Sequence, residues 1–247
     1  QLPLGVFGVA LGVAILPMLS QQVASKKFSE MIKTIAFGIR LILFITIPAT
    51  IGLILLRFPI VNTLWERGEF NRLTTEGTAT ALLYYATGLC AFCGLKVIVP
   101  AFYSLQDTRT PAKIGIYSML LNIVLNIILM GPMKHGGLAL ATSIAAAFNL
   151  ILLIHLLRKR IGLMGGRKIL LSVIKLFFVS GIMGLAVYYF NNIFFDPNDQ
   201  LIVKFLILSA NIGIGVLIYV VLSRIIQNEE LSFLIKLSRN RQKNFIK

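Results

Sequence analysis

The sequence predicts an all-α fold, a polytopic transmembrane helix bundle of about seven spans, and three observations carry that prediction. Hydrophobic residues make up 57% of the 247 residues and charged residues only 13%, whereas soluble domains have roughly 45–50% and about 25%. Mean hydropathy is +0.86. The apolar residues fall in runs of about 20, the length with which a helix crosses a ~30 Å hydrocarbon slab. A helix also satisfies its own backbone hydrogen bonds in lipid, and the alternation of a barrel strand is absent.

The spans follow in order. Span A runs from Leu2 to Ser20, with Gly5, Gly8 and Gly12 spaced along it. It starts at Gln1-Leu2-Pro3 without an initiator Met or basic n-region and has no cleavage-site pattern, so we expect no signal peptide and read the start as a cut inside a longer protein. Span B is Met31 to Leu56. After it, Pro59 suits a first helical turn and Gly68 a stop, with Val61, Leu64 and Trp65 on one face of a short helix. Its Trp, the only one in the chain, is expected at the outer interface. Span C is Glu76 to Val99, with Pro100 just beyond it as a source of kinking. Span D is Pro111 to Met130, E is Gly136 to Leu157, F is Ile169 to Phe190 and G is Leu201 to Leu222. Asn228-Glu229-Glu230 then reads as a helix start, and Leu231, Leu234 and Ile235 continue an apolar face suited to anionic inner-leaflet lipid.

Net charge is +15, which in a soluble chain would suggest nucleic acid. Here position decides, and nucleic acid is not expected. Of the 24 basic residues, sixteen fall in the A–B, C–D and E–F loops and the tail, and four in the opposite loops (Arg57, Arg67, Arg72 and Lys134). The positive-inside rule places the first set, and the C-terminus, in the cytoplasm. Arg40, Lys96, Lys175 and Lys204 lie within spans, and Arg40 is the hardest to snorkel.

All nine acidic residues sit in loops or at span ends. A proton relay, which uses buried Asp, Glu or His, is not expected from this chain. No nucleophile–base pattern or phosphate-cradling loop appears, so an enzyme is not expected either. Cys90 and Cys93 have CxxC spacing on an apolar helix and read as filler, with no metal partners. Asn122 and Asn126, at i and i+4, share one face of span D. Thr142 and Ser143 in the antiparallel span E face them in this reading. The group reads either as interhelical hydrogen-bond glue or as a small-cation site of amide and hydroxyl oxygens. Lys96 reads either as a snorkelling lysine or as a cation facing a cavity near an anionic lipid headgroup. The span A glycines permit close packing or flexibility beside a substrate portal.

Several stretches resemble the MurJ/MviN family of lipid II flippases. They are LPLGVFGVAL with LPMLS (Leu2 to Ser20), LWERGEF (Leu64 to Phe70), KVIVPAFYSLQDTRTPAK (Lys96 to Lys113) and GPMKHGGLALATS (Gly131 to Ser143). From Ile144 onward only hydropathy and spacing match. The resemblance implies the C-terminal lobe of a fourteen-helix MOP-type transporter whose two lobes enclose a cationic cavity and rock in alternating access. It implies lipid II, the undecaprenyl-pyrophosphate-linked peptidoglycan precursor, as substrate, and the bacterial inner membrane as location. Span A, with Gly5, Gly8 and Gly12, would border the cavity and portal, as would Lys96. Spans F and G would form a groove for the lipid tail. Asn122, Asn126 and Thr142 fall where some members coordinate Na+, although a carboxylate expected near Asn126 is an amide here and another ligand would come from the helix before span A. No other cofactor is implied.

We therefore divide the chain into core helices (1–157), two additional groove-forming spans (158–225) and a basic amphipathic cytoplasmic tail (226–247). Expected partners are lipid II, membrane lipids and an N-terminal half of the same protein. Two rival readings remain: another MOP-type exporter (a polysaccharide-lipid flippase or a drug/cation antiporter), and a non-transporting membrane scaffold for cell-wall enzymes.

Overall fold

In a computed structural model, which describes residues 4–236, the chain is helical almost throughout, with no strand among the described residues. A π-helical stretch, Leu4–Val9, leads into α1 (Ala10–Ala24). There follow α2 (Phe28–Leu55), α3 (Arg57–Trp65), α4 (Arg72–Thr87), α5 (Leu89–Ser104), α6 (Arg109–Met133), α7 (His135–Ile161), α8 (Gly166–Phe194) and α9 (Leu201–Ile225). A last helix, α10, covers residues 229–236. Among the described residues six stretches, α2, α4 with α5, α6, α7, α8 and α9, are long and apolar enough to cross a membrane; Ala10–Ala24 is a shorter apolar helix. Span A's first residues and the tail beyond Lys236 lie outside the described residues.

The five uninterrupted spans run 25 to 29 residues, so each is about 38–44 Å long. That exceeds a ~30 Å hydrocarbon core and leaves room for tilt or protruding ends. The outer faces are correspondingly apolar: on α6, Ile123, Val124, Ile127 and Ile128 are all exposed, as lipid-facing residues must be.

Span C differs from expectation. It is two helices meeting at Gly88, while α5 runs on through Pro100. The cause is local. The Tyr84 carbonyl, the usual partner of the Gly88 N–H, instead accepts from the hydroxyls of Thr87 and Ser143, both at 2.7 Å. Gly88 N–H turns to Tyr85 at 3.1 Å, one residue short of α-helical spacing.

The GPMKHGG stretch makes a tight reversal between α6 and α7. Lys134 alone separates α6 from α7 and adopts a positive φ of 50°. A side chain at Gly137 would overlap the Leu129 carbonyl. Only glycine lets the two helices leave this turn in backbone contact. The short helix α3 has Pro59 in its first turn and ends before Gly68, at φ 56°, with Trp65 exposed. It also buries Asn62 and Thr63, whose side-chain polar atoms have no partner.

Two apolar clusters organise the interior, and α2 belongs to both. One face packs Met31, Ile35 and Ile42 against Leu19, Val97, Phe102, Leu153 and Leu157 of α1, α5 and α7. The other packs Phe44 and Ile47 against Leu176, Val179, Met183 and Tyr219 of α8 and α9. The tail helix extends the second cluster: Leu231 is buried in it and Leu234 packs on it, whereas Ile235 is 49% exposed. The apolar face assigned to lipid is therefore turned largely to protein, because α10 folds back beneath α2, α8 and α9.

Candidate functional site: an apolar groove and three polar clusters

An apolar cavity of about 510 Å³ lies between α2, α8 and α9, within the ~300–1,000 Å³ typical of small-molecule sites. Pro48 and Gly52 of α2, Ile60 of α3, Met183 of α8, and Ile212 and Val216 of α9 are among its lining residues. The lining contains no charge, and its one hydroxyl, on Tyr219, is turned away to donate to the Phe44 carbonyl at 2.6 Å. Pro48 is an interior helix proline, and it lacks the N–H that would otherwise bond back one turn, to Phe44. That carbonyl is therefore free for Tyr219. The contact lies at the end of the groove nearest the A–B loop and the tail, the basic end. Nearby, Asn211 is buried and donates from Nδ2 to the Val187 carbonyl at 3.4 Å.

The polar face of α6 meets α7 as a chain of hydrogen bonds. Asn126 Nδ2 donates to Asn122 Oδ1 at 3.0 Å, Asn122 Nδ2 donates to Thr142 Oγ1 at 3.4 Å, and Thr142 Oγ1 donates to the Leu138 carbonyl at 2.8 Å. Asn126 Oδ1 is buried without a partner. Ser143, expected to join this group, does not. Neighbours on a helix point about 100° apart, so Ser143 faces α4 and bonds Tyr84 instead. Among the described residues no group of three or more His, Cys, Asp or Glu could hold a metal.

Gly12 and Lys96 are brought together. A side chain at Gly12 would come within 2.8 Å of the Lys96 carbonyl, so α1 lies directly on α5 there. The Lys96 side chain is exposed on that flank of the bundle. Gly8 is buried, while Gly5 is exposed with nothing near it.

Two clusters at the basic end escaped sequence reasoning. In the first, the α5–α6 loop of the PAFYSLQDTRTP stretch is held by Asp107. It accepts from the Thr110 N–H at 2.9 Å and the Thr110 hydroxyl at 2.6 Å, and pairs with Arg160 of α7 at 2.6 Å. The Thr110 bonds, aided by Arg160, hold its carboxyl below the usual carboxylate range although burial pushes it up. In the second, Arg40 of α2 lies 2.9 Å from Glu229 and 3.5 Å from Glu230. The signal for the second was Arg40 itself, a cation too deep in a span to stand alone.

Comparison with known proteins gives a consistent result. A family model described as "Lipid II flippase MurJ" matches residues 1–210. The probable lipid II flippase MurJ of Vibrio cholerae is 42% identical over 153 residues, 62% of this chain and 29% of that protein. The protein of the same description from Rickettsia prowazekii is 35% identical over 223 residues, 89% of this chain and 44% of that one. A solved structure titled "Lipid II flippase MurJ, inward closed conformation" superposes with a TM-score of 0.74 at 28% identity, over 91% of this chain and 44% of the other. The chain thus spans less than half the length of these relatives.

Proposed function

The chain belongs to the lipid II flippase MurJ family, and from that premise we propose that it is one lobe of a transporter that moves lipid II from the inner to the outer leaflet of the bacterial inner membrane. No covalent bond is made or broken in this reading. The observation that carries it is the uncharged groove between α2, α8 and α9.

Unpaired charge is very costly in hydrocarbon, so a pyrophosphate headgroup needs a hydrated, cationic path. The prenyl chain needs only an apolar one. A tail leaving bilayer lipid for the groove gains little hydrophobic free energy, because lipid chains are already apolar. The groove therefore guides the tail without trapping it. The headgroup path would be completed by a second lobe, a role supported by the chain's matching only 44% of the length of the Rickettsia relative and of the solved one. Lys96, exposed on the α1–α5 flank, would contribute positive charge to it, with the Gly12 contact holding α1 against α5. The solved relative's inward closed state supports alternating access between two lobes. The basic end, rich in Lys and Arg, would face the cytoplasm.

The coupling ion in this reading is Na+, held at Asn122, Asn126 and Thr142. The support is the unpartnered Asn126 oxygen beside two further side-chain oxygens. The hydrogen-bond chain also pins α6 to α7 when no ion is bound.

The test is expression of the complete reading frame in bacteria depleted of their own lipid II flippase, with lipid II exposed at the periplasmic face as readout. Exposure above the depleted background supports the proposal. Its absence, with protein folded and inserted, shifts the reading to another exporter or a scaffold.

A further inference from the structure

Arg40 has an arrangement that transport by the groove does not by itself require. Its side chain is 18% exposed and that of Glu230 only 3% exposed. The guanidinium bridges both tail carboxylates, and Ser172 of α8 donates to Glu230 Oε1 at 3.3 Å. One turn further along α2 is Phe44, which lines the groove and accepts the Tyr219 hydrogen bond. On the other side of Arg40, Phe37 meets Phe233 of α10 edge to face, with ring centroids 4.8 Å apart. The connection from α9 to α10 is three residues, turning at Gln227 with φ 54°. Whatever fixes α10 therefore fixes the adjoining end of α9.

We propose that Arg40 and Glu230 are positioning residues for the groove. Their ion pair holds α10 across the basic ends of α2, α8 and α9, and so sets the distance between α2 and α9 where Phe44 and Tyr219 meet at the groove's edge. The role rests on the reading of the groove as a path for the lipid tail. The physical lever is asymmetry: a buried carboxylate deprived of its cation is strongly destabilised, more than the intact pair is stabilising. Removing Arg40 leaves Glu230 with Ser172 alone, and α10 relieves that by detaching.

The test uses the complete protein with Cys90 and Cys93 replaced by alanine. Nitroxide labels at Lys33→Cys and Ile225→Cys, both exposed and both at the basic end, report the α2–α9 separation by pulsed EPR. Lipid II exposure in depleted cells reports transport. Arg40→Gln should lengthen and broaden the distance distribution and slow exposure severalfold. Joining Phe37→Cys to Phe233→Cys with a short bifunctional thiol reagent, in a label-free Arg40→Gln protein, should restore the rate by pinning α10 without the ion pair.

An unchanged distance overturns the proposal. So does a widened distance with an unaltered rate, or a cross-link that fails to restore the rate. If even the Arg40 protein exposes no lipid II, the proposed function fails and takes the positioning role with it. A normal rate in Arg40→Gln removes the positioning role alone.

Discussion

The α6–α7 hairpin offers a sharp test of helix packing, through two glycines in the same pair of helices. At Gly137 an added Cβ would overlap the Leu129 carbonyl and lie 3.0 Å from the Leu129 Cβ, so the obstacle is backbone and cannot rotate away. At Gly115 on α6 an added Cβ meets nothing within 4 Å. Alanine is favoured over glycine in a helix interior by about 0.8–1.0 kcal/mol. Gly115→Ala should therefore leave stability unchanged or raise it by up to about 1 kcal/mol. Gly137 is the third residue of α7, so Gly137→Ala gains only part of that propensity while it forces the hairpin apart, and overpacking typically costs ~1–3 kcal/mol, more where backbone must move. Its net effect is a loss of about 1–2 kcal/mol or more. It should also lengthen the 3.4 Å contact from Asn122 to Thr142. Thermal unfolding of the purified protein in detergent, followed by loss of the monodisperse peak, ranks the two variants. Equal midpoints, or Gly137→Ala above wild type, would refute the claim that backbone contact at this turn defines the hairpin.

Four further outcomes are expected. Gly52 lines the groove with open space around its Cβ, so Gly52→Phe should insert normally yet lower lipid II exposure, and wild-type rates would show that the tail travels elsewhere. If Asn122, Asn126 and Thr142 hold Na+, replacing K+ by Na+ should raise the melting midpoint of wild type, by mass action, and not that of Asn122→Ala; equal midpoints in the two salts for wild type leave only the packing role. The Asp107 carboxyl sits below its ordinary range when folded. Its contribution is therefore complete above the unfolded value of about 3.9 and is lost as pH falls through the lower folded value. Asp107→Asn should accordingly be less stable than wild type near neutrality, with the difference shrinking in acid; a difference independent of pH would contradict the sign. Ser143→Ala should weaken the junction at Gly88 by removing the hydroxyl that bonds Tyr84, typically by about 1 kcal/mol, seen as a lower melting midpoint.

Hydropathy alone made the spans legible, because a helix must stay apolar for about 20 residues to cross a bilayer and satisfies its own backbone there. That Asn122 meets the next span was also legible, since a short loop makes D and E antiparallel neighbours. Its partner residue was not. Thr142 and Ser143 are adjacent, and only the position of α4 decides which of them turns toward α6. The break at Gly88 was missed for a related reason: it depends on the Ser143 hydroxyl, 59 positions away from the Tyr84 carbonyl it takes. Arg40 was visible as a residue in want of a partner, but Glu229 and Glu230 were read as a solvated helix start. Only the return of the tail beneath α2 brings them to it. The groove could be named from family resemblance, whereas its lining could not, because Pro48, Gly52, Met183 and Val216 are unremarkable in any apolar span.

In the proposed function this lobe guides the uncharged tail of a lipid whose headgroup is charged. The most direct measurement is lipid II exposure at the periplasmic face of flippase-depleted cells carrying the complete protein, with Gly52→Phe alongside. Exposure should be restored by wild type and reduced by the groove-filling variant at equal membrane abundance. No exposure from a folded, inserted wild-type protein would contradict it.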